Sequence, residues 1–116
     1  MGHAAVLTCP LRGPGEPHGG VNGVSLTYRT DGRLDVIFEQ ELGEVHPYYN
    51  IGNAEKVDTV TIRGESADLW QGENAHGRVL FALSWDEPSR GIAFYLTSFR
   101  PQEETLRIAN SLRPLE

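Results

Sequence analysis

The chain has one cysteine, one methionine and no apolar run approaching the roughly 18 residues that a membrane-spanning helix requires. A lone Cys9 excludes an internal disulfide and leaves the redox compartment open. The missing apolar run predicts no membrane insertion by this segment. Residues 1–11 also lack the charged start and long apolar centre of a secretory leader, and Met1-Gly2-His3 equally fits a vector-derived start. Basic residues are scarce as well, with Lys and Arg numbering 10 against 16 acids, for a net charge of −6. No basic stripe interrupts that balance, so a nucleic acid partner is not expected.

Chemical motifs are equally sparse. The histidines at 3, 18, 46 and 76 never come close enough in sequence to form a local metal motif, so no metal is expected. No serine stands in a Gly-x-Ser-x-Gly elbow, and Cys9 sits beside Pro10 near the chain end, which leaves no candidate nucleophile. Gly13, Gly15, Gly19 and Gly20 do not lead into a helix, so they provide no phosphate cradle and no cofactor is implied. Of the carboxylate pairs, Glu39/Glu41 reads as the solvent side of a strand and Glu103/Glu104 as the acidic start of a helix. Catalytic residues are therefore not expected, and the chain reads as non-enzymatic.

What is present is a pattern of strands closed by one helix. Residues 92–99 form an apolar, β-branched and aromatic run that suits a buried strand. Pro101 then suits the first turn of a helix in which Thr105, Leu106, Ile108, Ala109 and Leu112 share one side. Arg113 falls in the last turn and Pro114 acts as the stop. Upstream, Val24, Leu26 and Tyr28 alternate with polar residues, and Leu34, Val36 and Phe38 do so after Thr30-Asp31-Gly32. A three-residue loop at 30–32 pairs Tyr28 with Leu34 and Leu26 with Val36, which keeps apolar residues on one face. Strands over 57–63 and 66–71 flank Gly64-Glu65, a glycine-first turn that sets Ile62 opposite Ala67 and Val60 opposite Leu69. Residues 78–86 supply another strand.

These hairpins predict an α+β domain over 24–116, an antiparallel meander of about six strands with one C-terminal helix packed on it. Residues 1–23 read as a flexible lead-in, because 10–23 carry too much glycine and proline for a regular element. Trp70, Trp85 and Tyr95 are expected to fill the core rather than line an apolar cavity. The connection 42–54 has neither strand nor helix period and holds Tyr48, Tyr49 and Ile51, the residues most suited to contact a protein or peptide partner.

At Val60–Gly64, Ala67–Leu69, Leu83–Trp85, Gly91–Ser98 and Glu104–Leu112 the chain resembles a bacterial family of unknown function. That family occurs as the C-terminal extracytoplasmic domain of membrane-anchored, anti-sigma-factor-like proteins and predicted lipoproteins. Its pattern is Leu-x-Trp, Gly-x-x-Tyr-x-Leu, then an acidic helix start leading to Ile-Ala-x-Ser-Leu. The likeness spans about residues 57–113. The chain departs from the pattern at Arg100-Pro101, a poorer helix cap than Ser or Thr. The family has no established catalytic residues, so the resemblance implies an exported sensory or interaction domain. The alternative expectation is a carrier of a small apolar ligand or lipid, held in a groove between sheet and helix.

Overall fold

The computed structural model describes residues 7–9, 16–19, 23–43 and 54–114. Nine strands and one helix follow in order: β1 (Leu7–Thr8), β2 (Glu16–Gly19), β3 (Gly23–Thr30), β4 (Arg33–Leu42), β5 (Glu55–Ile62), β6 (Glu65–Glu73), β7 (Val79–Glu87), β8 (Ile92–Ser98), α1 (Gln102–Asn110) and β9 (Arg113–Pro114). One antiparallel sheet has the order β2-β3-β4-β8-β7-β6-β5, and β1 pairs separately with β9. The α+β layout read from the sequence is present, with β3 to β8 as its six expected strands and α1 as its helix.

The sheet also departs from that reading in four places. β2 lies inside the stretch assigned to the lead-in, where it pairs Pro17 with Leu26 and Glu16 with Thr27. An edge position tolerates proline, because a residue without an N–H needs no partner on its open side. Second, the meander is broken once. β4 pairs with β8 rather than β5, Phe38 opposite Leu96, so the chain passes from mid-sheet to the far edge between β4 and β5. β8 is buried at six of its seven positions and takes a place with a strand on each side.

The first hairpin corrects the third expectation. Its turn has two residues, Asp31 and Gly32, both at positive φ (53° and 76°), as a type I′ turn demands. The extra residue sits in the strand: Arg29 pairs with Leu34 and Tyr28 with Val36, leaving Asp35 bulged. Leu26 then faces Phe38, so the apolar faces meet without a three-residue loop. In the second hairpin the turn is Arg63-Gly64, not Gly64-Glu65, and Val60 lies opposite Ala67. Arg63 takes the left-handed conformation (φ 53°) while its backbone N–H donates to Asn110 Oδ1 and its Nη1 to the Leu112 carbonyl. Those contacts with the end of α1 fix the register that the local glycine alone leaves open.

Trp85, Phe38 and Phe94 form a stacked trio at the centre of the core, with ring centroids 5.5 to 6.5 Å apart. Leu69, Leu83 and Leu96 extend it across the sheet, and Ile108, Ala109 and Leu112 close it from the helix side. The helix starts with Pro101 as its cap residue and no side-chain cap. The buried Thr105 hydroxyl lies 2.9 Å from Ser98 Oγ and 3.1 Å from the Pro101 carbonyl, tying the first turn to β8. Arg113 and Pro114 lie beyond the helix: Ser111 caps it, and the chain then pairs Arg113 with Thr8.

Candidate functional site

The bulge in β4 re-aims Asp35. Its neighbour Val36 keeps to the core side, and Asp35 itself is buried beside the β8–α1 joint, where its carbonyl accepts the Phe99 N–H. There Asp35 Oδ2 accepts hydrogen bonds from Arg100 Nε (3.0 Å) and Nη2 (2.8 Å) and from the Thr30 hydroxyl (2.9 Å). Burial works against the charge on Asp35. The hydrogen bonds of Arg100 and Thr30 and the positive charges of Arg100 and Arg78 outweigh it, holding the carboxyl below its ordinary range.

A second guanidinium is fixed nearby by different means. Asn74 Oδ1 accepts the backbone N–H groups of His76 and Arg78, both at 2.9 Å, and so sets the loop that precedes β7. From it Arg78 extends across the first hairpin, donating to the Leu34 carbonyl at 2.8 Å and lying over the Phe99 ring, 4.2 Å from its centroid. Together with the exposed Arg33, these groups line an open cleft of about 360 Å³. Asp31 on the turn and Glu104 in the first turn of α1 complete the charged lining.

A second buried charge cluster is structural. Glu87 receives Arg63 Nε at 2.8 Å, Arg90 Nε at 3.0 Å and the Trp85 indole N–H at 3.3 Å. It joins the β5–β6 turn, the β7–β8 loop and the core tryptophan, and presents no open side for a ligand to reach.

The structure separates the residues singled out by sequence. Trp85 lies in the core, while Trp70 and Tyr95 stand on the sheet's other face, Trp70 donating to Ser84 Oγ at 3.3 Å. The three therefore line no common groove. Tyr48, Tyr49 and Ile51 lie outside the described residues, as does His46. His76 is exposed in its loop, and no group of three metal-ligating side chains occurs among the described residues. Cys9 is buried, its thiol pushed up to about 12 by burial, although a hydrogen bond from Tyr28 and the charge of Arg100 act in the opposite direction. The Asp35–Arg100 pair had no sequence signal: its members are 65 residues apart, and Asp35 falls on an outward position of the simple alternation.

With this geometry in view, comparison with known proteins gives no further handle: no protein-family model, curated protein or solved structure matches the chain. Among the described residues no helix is long and apolar enough to cross a membrane.

Proposed function

We propose that the chain is a non-enzymatic recognition domain, sensory or protein-binding, that works outside the cytoplasm with a protein or peptide as its partner. The observation that carries this reading is the charged cleft beside Asp35, in which the guanidinium groups of Arg78 and Arg100 are held in place by other parts of the protein. Pre-set charges recognise a partner at little cost in side-chain ordering. Support for a non-enzymatic role comes from Cys9, which stays a buried thiol, from Glu87, both of whose oxygens meet arginines, and from Asp35, whose Oδ2 is held by Arg100. The extracytoplasmic placement rests on the family resemblance at residues 57–113. The net charge of −6 argues against nucleic acid.

The carrier alternative loses ground because Trp85, Phe38 and Phe94 occupy the layer between sheet and helix. A direct comparison tests both. The purified chain is expected to select peptides from a displayed library with saturable binding, to leave ester, phosphoester and peptide substrates unturned, and to take up no fatty acid. Stoichiometric uptake of a fatty acid with a change in tryptophan emission would replace the proposal with the carrier. Turnover of any of the substrates would make the chain an enzyme.

A further inference from the structure

Among the described residues the large sheet ends at β2 on one side and β5 on the other, and the two edges differ in what they offer an approaching strand. β2 is four residues long and carries Pro17, so it is a short template with a donor missing. β5 is eight residues long and has no proline. Its stretch from Val57 to Ile62, Val-Asp-Thr-Val-Thr-Ile, is β-branched at every position except Asp58, which is also its only charge. Segments of this composition add to one another through their backbones when an edge exposes them. Here the edge is exposed: every residue from Glu55 to Thr59 lies at the surface, Val57 among them at 45%.

The register fixes which backbone groups face that edge. The two-residue turn at Arg63-Gly64 makes Ile62 and Glu65 a hydrogen-bonded pair, and such pairs alternate with open ones along an antiparallel ladder. Val60 and Ala67 therefore exchange bonds, while Thr59 and Thr61 point their N–H and C=O groups away from β6. The outward N–H of Thr59 is already taken, because it donates to Asp58 Oδ1 at 2.8 Å. Just before it the ladder slips. Lys56 pairs with Trp70 and Asp58 with Leu69, which leaves Val57 bulged, and the Lys56 ammonium is drawn back over β6 to Asp68 at 3.0 Å.

We propose that Asp58 guards this edge against pairing with the β5 strand of a second copy of the chain. An added strand needs the Thr59 N–H for one of its carbonyl oxygens, and the Asp58 carboxylate occupies that place with a negative charge. The bulge at Val57 interrupts the regular row of outward groups on the other side of the guard. Without the carboxylate, the outward groups of Thr59 and Thr61 would form an open, β-branched template.

The test compares the full chain with its variants by sedimentation over a concentration series and by backbone amide NMR signals. Asp58→Ala uncovers the Thr59 N–H and is expected to associate at concentrations at least tenfold lower than the parent, with amide shifts centred on Thr59 and Thr61. Asp58→Asn loses the charge but keeps a side-chain oxygen that accepts the same hydrogen bond, so it should stay within twofold of the parent. Adding Thr61→Pro to Asp58→Ala removes the next outward donor without touching the ladder to β6, and should restore the behaviour of the parent. Asp58 is exposed, so its replacement leaves the fold intact, and the amide signals away from β5 report this. The proposal is overturned by an Asp58→Ala chain that associates no more readily than the parent, by equal association of Asp58→Ala and Asp58→Asn, by association that survives Thr61→Pro, or by amide shifts at β2 in place of β5.

Discussion

A single displaced residue ties the first hairpin to the joint between β8 and α1. Asp35 leaves the regular alternation of β4 and becomes the acceptor that joins the first hairpin to Arg100. Since its carboxyl titrates below the unfolded value near 3.9, the pair contributes its full stabilisation above about pH 4, and the contribution is lost as the pH falls through the lowered folded value. Asp35→Asn is expected to cost about 1–3 kcal/mol at neutral pH, because Arg100 loses its charged acceptor. Its acid unfolding limb below pH 4 should also be flatter than that of the parent chain. Urea melts at pH 3 and pH 7 measure both effects, and equal pH dependence in the two proteins would assign the acid sensitivity to other carboxylates. This role was not legible in advance. Alternation places Leu34, Val36 and Phe38 on one side and Asp35 on the other, and only the bulge, imposed by the short turn, moves it inward.

At the level of strands and helix, periodicity read the elements well and their registers poorly. Apolar alternation located β3 and β4, the apolar run 92–99 located β8, the residues flanking a glycine turn located β5 and β6, and the stripe of Thr105, Leu106, Ile108, Ala109 and Leu112 gave the covered side of α1. The first hairpin, however, closes through a turn one residue shorter than expected and the second through a turn one position earlier, since a bulge and an arginine anchored on α1 lie beyond the reach of local pattern. Two glycines of the first hairpin now separate two kinds of constraint. Gly32 has positive φ with open space where a Cβ would point, so Gly32→Ala should cost only the backbone strain, about 1 kcal/mol. At Gly23 a Cβ would overlap the Gln40 carbonyl oxygen, so the neighbouring strand must move and Gly23→Ala should cost about 1–3 kcal/mol, more than Gly32→Ala. Denaturant midpoints measured side by side give the order, and the reverse order would mean that β3 and β4 are less closely paired at that end.

For the molecule as a whole, the helix is the second wall of the core. Ile108 and Leu112 are each 5% exposed, and burying side chains of this kind contributes roughly 1.5–3 kcal/mol apiece in transfer terms. A chain truncated after Phe99 also loses the Arg63 contacts to Asn110 and Leu112, and is expected to show no cooperative thermal transition. Retention of a sharp transition with native-like shifts would make α1 a detachable segment. The global topology was the least legible feature, because nothing local in β4 says that its neighbour is β8 rather than β5; that choice follows from which strand most needs cover on both edges.

The small β1–β9 ladder has a mechanical consequence. Leu7 faces Pro114 and Thr8 faces Arg113, so the two strands enter and leave side by side at the same point. Tension between residues 7 and 114 opens such a ladder like a zipper, one rung after another, instead of shearing its rungs together. The load then passes to Cys9, whose N–H is held by the Tyr28 hydroxyl, and to Leu112 at the foot of the helix. The large sheet bears none of it until that latch has parted, and a brief release lets the two strands close again.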